Sequence, residues 1–159
     1  MKRRSFLQTA SVLGISAKSL PIKDLQQAKP EPIIIATWKN EEACKAGFAK
    51  IKETGKALDG VETGAWIPEA NPEETTVGYG GYPDRDGHVT LDACIMDHQG
   101  NAGSVTFLEG IMHPISVARA VMEKTPHVML SGEGALQFAL SQGFKKIDLL
   151  TPKAKKAWE

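Results

Sequence analysis

The stretch Val77–Val105, VGYGGYPDRDGHVTLDACIMDHQGNAGSV, decides how the chain folds. From Val89 the side chains alternate, with Val89, Leu91, Ala93 and Ile95 on one face and Thr90, Asp92, Cys94 and Met96 on the other. That period of two is what a strand with one buried face requires. Asp97-His98-Gln99-Gly100-Asn101 supplies turn chemistry, with Gly100 and Asn101 tolerant of φ > 0, and Gly103 to Leu108 returns as a second strand. Upstream, Gly78, Gly80 and Gly81 lie among Tyr79 and Tyr82 in a loop whose backbone approaches another segment or a ligand closely. Pro83-Asp84-Arg85-Asp86-Gly87 then turns the chain into the first strand.

Outward from the hairpin, Ile33-Ile34-Ile35-Ala36-Thr37 reads as a short buried strand ending at Trp38. Glu41 to Thr54 has an apolar stripe of Ala43, Ala46, Gly47 and Ile51, acidic residues at its start and Gly55 as a stop, so it reads as a helix. Lys56 to Trp66 is a second helix, closed by Pro68. Beyond the hairpin, Pro114 opens a helix over Ile115 to Lys124, His127 to Leu130 is a strand, and Ala135 to Gln142 is a helix ended by Gly143. The tail, Lys145 to Glu159, carries five lysines and reads as solvated. This order makes an α+β protein whose sheet is covered by helices.

At 159 residues, 42% of them hydrophobic, the chain suits one domain with a real core. Nineteen basic and nineteen acidic residues cancel, which removes the electrostatic case for nucleic acid or an anionic membrane and points to a small or uncharged substrate. Cys44 and Cys94 are too few for a zinc framework or a disulfide scaffold and read as small buried hydrophobes, although export would leave their pairing open.

Residues 1–21 read as an export signal. Arg3, Arg4, Phe6 and Leu7 occupy the places of a twin-arginine pattern, followed by a mildly apolar run and a small-residue exit at Ile15-Ser16-Ala17. The run is polar-interrupted and far short of the ~20 residues of a membrane span. Residues 22–32 then form a linker, and the folded region is 33–159. The expected location is periplasmic or otherwise exported; a basic N-terminus on a cytoplasmic protein is the alternative.

Several tempting constellations fail on spacing. Asp84-x-Asp86-Gly87 lacks the further ligands of a calcium loop and is a turn. His88 and Asp92 are spread along a strand and His98 sits in a turn, so with Asp97 they make no metal site. His113 and His127 have no nucleophile or carboxylate at a motif spacing and read as structural. The Gly78 loop is followed by neither Lys-Ser/Thr nor a helix, so it is not a phosphate loop.

A longer set of residues goes further. Thr75-Thr76-Val77-Gly78-Tyr79-Gly80-Gly81, Pro83-Asp84, Gly87, Val89 to Ala93, Ile95 to Asp97, Gly103 to Val105, Pro114 to Arg119 and Thr125 to Val128 closely resemble the glycosylasparaginase family of N-terminal-nucleophile hydrolases, allied to plant-type asparaginases. Thr37-Trp38, Gly55 to Asp59 and Gly134 to Leu136 extend the likeness over about residues 33–159. The resemblance implies a four-layer αββα sandwich, of which this chain is the α half, incomplete without a β half. It further implies a precursor that cuts itself before a threonine, which becomes the nucleophile and, through its α-amino group, its own base. The implied reaction is hydrolysis of the amide between asparagine and N-acetylglucosamine, with no metal or other cofactor. The partners implied are the β half of the same precursor and a glycosylated asparagine, with a dimer of αβ units as a candidate assembly.

The family's nucleophile sits in an Asp-Thr context, and none of the ten threonines of this chain follows an aspartate. No catalytic residue is therefore assigned here, and the 159 residues alone are expected to be inactive and to expose an unpaired sheet face. Residue by residue, the resemblance carries over only Trp38, a pocket tryptophan beside the nucleophile, where physics alone favours a core role, and Thr76, whose hydroxyl lies near it. Asn40 stands where the family usually has Phe, a departure that bears on the pocket wall and on sugar specificity. The rival readings are a non-catalytic split or truncated product that binds a partner chain, and a general asparaginase or isoaspartyl peptidase.

Overall fold

The structure, a computed structural model, describes residues 31–159; the expected export signal and nearly all of the expected linker lie outside the described residues. The hairpin forms where its alternation predicts. Strand β1, Thr90–Met96, pairs antiparallel with β2, Ala102–Glu109. The connecting turn is held by Asp97, whose Oδ1 accepts the N–H groups of Gln99 and Asn101 at 2.8 and 2.9 Å. Of the two expected left-handed residues only Gly100 is one, at φ 86°; Asn101 instead turns its side-chain amide onto Asp97 Oδ2 at 2.8 Å.

The ladder carries one irregularity. Leu91 pairs with Leu108 but Ala93 with Val105, so Thr106 and Phe107 together oppose Asp92. Phe107 takes φ 52° there. The Asp92 carboxylate stabilises this bulge by accepting from Thr106 Oγ1 at 2.6 Å and from the Phe107 N–H at 2.9 Å.

Helix α1, Glu41–Thr54, starts at the Asn40 cap and stops at Gly55, φ 71°, as expected. Helix α2 runs over Ala57–Ala70, so Pro68 lies inside it rather than ending it. A proline near the end forfeits only one intrahelical bond, and the last turn is fixed from outside by the buried carboxylate of Glu69. Helix α3, Pro114–Lys124, follows β2 and crosses to β3, Met129–Ser131, which pairs parallel with β2 and makes the sheet order β1-β2-β3. Helix α4, Gly132–Ser141, begins three residues earlier than expected. The five helices and three strands of the described residues make an α+β fold.

Helices α3 and α4 cover one sheet face, burying Ile95, Val105, Leu108, Val117, Val121, Leu136 and their neighbours. A second cluster joins Val89 and Leu91 to Leu149. The tail is thus not merely solvated: Leu149 and Ala154 are buried, and Pro152–Trp158 forms helix α5. Lysines masked this because all of the tail's lysines lie on exposed positions beside the few apolar anchors, and Ile147 ties back through its N–H to the Gly110 carbonyl at 2.8 Å.

Two further sequence expectations fail. Ile33–Thr37 is not a buried strand: Ile33 and Ile35 are 81% and 85% exposed, because no strand among the described residues pairs with the segment. Cys94 is exposed, since the alternation that buries Ile95 and Leu91 sends it to the open sheet face with Met96; Cys44 is half-buried, and the two are not bonded to each other.

Helices α1 and α2 approach through glycine. A Cβ on Gly60 would meet the Gly47 carbonyl oxygen at 2.7 Å and the Ile51 side chain. Helix propensity alone favours Gly60→Ala by about 1 kcal/mol, but overpacking against backbone costs about 1–3 kcal/mol. Gly60→Ala should therefore lower the urea midpoint of the protein, whereas Gly134→Ala in α4, which would meet nothing within 4 Å, should leave it unchanged or raise it. The open sheet face makes a second expectation: expressed by itself, the 159-residue chain should self-associate and bind hydrophobic dye. A sharp thermal transition from a soluble monomer would contradict this.

Candidate functional site

The two positions that the sequence singles out are brought to one place. Trp38 and Thr76 line the same groove, about 690 Å³ in volume, together with Asn40, Ala43, Gly64, Glu74 and others. The groove lies along the segment leading into α1, the facing side of α2 and the loop after α2. Trp38 is 83% exposed and forms a wall, not core.

Asn40, the departure from the family pattern, acts locally: its Oδ1 accepts the Ala43 N–H at 2.9 Å and caps α1. Two acidic residues, Glu41 and Glu42, follow in the first turn, where the helix dipole favours negative charge.

Thr76 rides on the Gly-rich loop, whose glycines serve the chain's own backbone. Gly78, at φ 57°, lies so close to Glu69 that a Cβ would strike the Glu69 carbonyl and Cα, and the Tyr79 N–H donates to that carbonyl at 2.6 Å. The Tyr82 N–H donates to the Thr75 carbonyl at 2.9 Å and folds the loop back. Within it, Glu74 Oε1 accepts from Thr76 Oγ1 at 2.6 Å and from the N–H groups of Thr75 and Thr76 at 3.1 and 3.2 Å. The Thr76 hydroxyl, against a smaller opposing effect of burial, holds the Glu74 carboxyl below the usual carboxylate range. Glu74 was not foreseen; the one signal was a carboxylate two residues before a hydroxyl in a turn-rich stretch.

The loop hangs on Glu69, also unforeseen. Its side chain is buried, with Oε1 accepting the Ile115 N–H at 3.1 Å and Oε2 lying 3.0 Å from His113 Nδ1. His113, read from sequence as having no carboxylate at a motif spacing, thus gains one through the fold, and it packs beside Trp66 with ring centroids 5.7 Å apart. Burial pushes the Glu69 carboxyl above its ordinary value, although His113 and the Ile115 N–H work the other way. One turn away, Arg119 Nη1 joins Asp59 and Glu62 at 2.8 and 2.7 Å, and its Nε joins Glu123 at 2.8 Å. Burial opposes its charge, but these carboxylates outweigh that and raise it further. The cluster clamps α2 to α3.

Elsewhere, a cavity of about 460 Å³ is lined by His88, Glu109, Lys146 and Asp148, among others, with His88 Nδ1 3.6 Å from Glu109 Oε2. It holds neither Trp38 nor Thr76. Among the described residues no group of three or more His, Cys, Asp or Glu is placed to hold a metal ion, and no helix is long and apolar enough to cross a membrane.

A family model for asparaginase matches residues 16–159. The chain belongs to the asparaginase family. Its glycosylasparaginase relatives include the N(4)-(beta-N-acetylglucosaminyl)-L-asparaginase of Elizabethkingia miricola, 51% identical over 99% of this chain and 48% of that protein. The Mus musculus protein of the same name is 38% identical over 95% of this chain and 43% of its own length. A plant-type L-asparaginase of Pyrococcus furiosus is 44% identical over 74% of this chain and 38% of its own. The chain spans about half the length of the curated asparaginase-family relatives that it matches.

The Glu69 linkage gives a pH test. In the fold Glu69 keeps its proton at pH values where the unfolded chain has released it, so its contribution is present below the ordinary carboxylate value. That contribution is lost as pH rises through the raised value. Wild type should therefore lose stability relative to Glu69→Gln as pH rises through this window, read by urea unfolding across the acidic range. A pH-independent difference would contradict it.

Proposed function

We propose that the full-length protein is an amidohydrolase that cleaves the amide between asparagine and N-acetylglucosamine, adding water to release aspartate and the amino sugar. The observation that carries this reading is the groove uniting Trp38 with Thr76, two positions distant in sequence that the resemblance assigns to the family's pocket. The 51% identity to a protein named for this substrate supports it. In this reading the precursor cuts itself before a threonine outside these 159 residues, and that threonine attacks the amide carbonyl with its own α-amino group as base. The β half supplies the nucleophile, the substrate-anchoring arginine and aspartate and the oxyanion donors. Trp38 forms the wall beside the nucleophile, while the Thr76 hydroxyl supports it by a hydrogen bond. The 159 residues alone are inactive. Export through a twin-arginine signal at residues 1–21, a linker at 22–32, a periplasmic site of action and assembly as a dimer of αβ units belong to the same proposal.

A second reading, a plant-type asparaginase acting on free asparagine or isoaspartyl peptides, is favoured by the 44% identity to the Pyrococcus protein. Rates of the full-length protein on aspartylglucosamine, free asparagine and an isoaspartyl dipeptide separate the two. The expected result is two fragments on a denaturing gel and the highest kcat/KM for aspartylglucosamine. Trp38→Ala should lower that kcat/KM by roughly 10²-fold through misplacement of the reacting groups, with cleavage into two fragments retained. A preference for asparagine or the dipeptide would install the second reading, and an intact, inactive full-length chain would remove both in favour of a partner-binding role.

A further inference from the structure

We infer that Glu74 is a positioning residue that commits the proton of the Thr76 hydroxyl, so that Thr76 faces the groove as a hydrogen-bond acceptor and meets a donor there, an ammonium or a hydroxyl. The consequence for activity rests on the amidohydrolase reading above. A threonine hydroxyl has one proton and two lone pairs. With Thr76 Oγ1 2.6 Å from Glu74 Oε1, that proton is in a charge-assisted bond, the strong kind. Only lone pairs are left for the groove, which both residues line.

Glu74 is itself fixed. Its Oε1 gathers the Thr75 and Thr76 N–H groups, and its own N–H donates to the Asn71 carbonyl at 3.0 Å. From α5, Lys153 Nζ reaches Glu73 Oε2 at 2.7 Å and the Glu73 carbonyl at 3.3 Å, which holds the adjoining residue. Lys153 is a charge that acts on Glu74, and its Nζ is engaged by Glu73. An acceptor backed by a carboxylate attracts a cationic or hydroxylic donor and repels a carbonyl oxygen or an oxyanion. Thr76 is thus excluded as an oxyanion-hole donor and suits the amine or hydroxyl of a nucleophile or substrate.

The test is a double-mutant cycle in the full-length protein with aspartylglucosamine as substrate. Glu74→Gln keeps an oxygen for all three donors but removes the negative charge that makes the bond from the Thr76 hydroxyl a strong one, so the proton is held less firmly. This variant should lower kcat about tenfold with KM and the urea midpoint little changed. Thr76→Val should do the same, Thr76→Ser should retain activity, and the double variant Glu74→Gln/Thr76→Val should be no worse than Thr76→Val alone. Multiplicative losses in the double variant would overturn the inference, because Glu74 would then act by another route. A second readout needs no substrate: by NMR titration the Glu74 carboxyl should move up towards its ordinary value in Thr76→Val and stay low in Thr76→Ser. An unchanged titration in Thr76→Val would overturn the inference by itself. If wild type cleaves no β-aspartyl amide, the amidohydrolase reading fails, and the titration alone decides whether Glu74 holds the hydroxyl proton.

Discussion

The buried carboxylate of Glu69 is the constraint on which the site depends. Three elements meet at this residue: it ends α2, caps the first turn of α3 through the Ile115 N–H, and offers its backbone carbonyl to Tyr79 of the Gly-rich loop. Removing a carboxylate from water is expensive, and the raised affinity of Glu69 for its proton is the visible trace of that. What offsets it is the start of a helix, where free N–H groups and the dipole favour negative charge. His113, the residue before Pro114, makes no side-chain cap of its own, so the cap of α3 is supplied from another helix. The packing of α2 on α3 and the seating of the loop are in this way one event.

From that anchor the loop is held at both ends. Gly78 and Tyr79 lie on Glu69, while Lys153 binds Glu73 and the Trp158 indole N–H reaches the Arg85 carbonyl at 3.3 Å. Helix α5 is therefore a strap across the loop that carries Thr76. On the opposite wall Trp38 sits in an exposed segment that pairs with no strand among the described residues and is secured at the α1 cap and by the Ile34 side chain against Gly47. One wall of the groove is tied down on both sides, and the other is held through the α1 cap and the Ile34 contact.

How much of this was legible in the sequence follows from the range of each interaction. The hairpin, its Asp97 turn and helices α1 and α3 were readable because alternation, Gly55, Gly100 and Pro114 act within a few residues. Ile33–Thr37 was misread because a strand exists only by pairing, and apolar content does not supply a partner. Pro68 misplaced the end of α2 because the Glu69 anchor, 46 residues from Ile115 in sequence, overrode a local rule. Cys94 was assigned to the interior on residue type, against the alternation that already set it on the open face. Of the site, Trp38 and Thr76 came from resemblance alone; Glu69 carries no sequence mark that separates it from the chain's other acidic residues, and Glu74 only the hydroxyl two residues on in a turn-rich stretch, since burial and partner define their roles.

Asn40 shows how structure reassigns a departure from a family pattern. On sequence alone, Asn in place of Phe two residues after the pocket tryptophan bears on the sugar-binding wall. In the fold its side chain is already engaged with the Ala43 N–H, an interaction worth about 1 kcal/mol to a helix start. A Phe there would leave that N–H to water and place its ring where the Asn side chain adjoins the groove. The substitution therefore exchanges apolar wall for a firmer start to α1, and it fixes the backbone only two residues from Trp38. Asn40 thus ties the groove's exposed indole to the start of α1 through two residues of backbone.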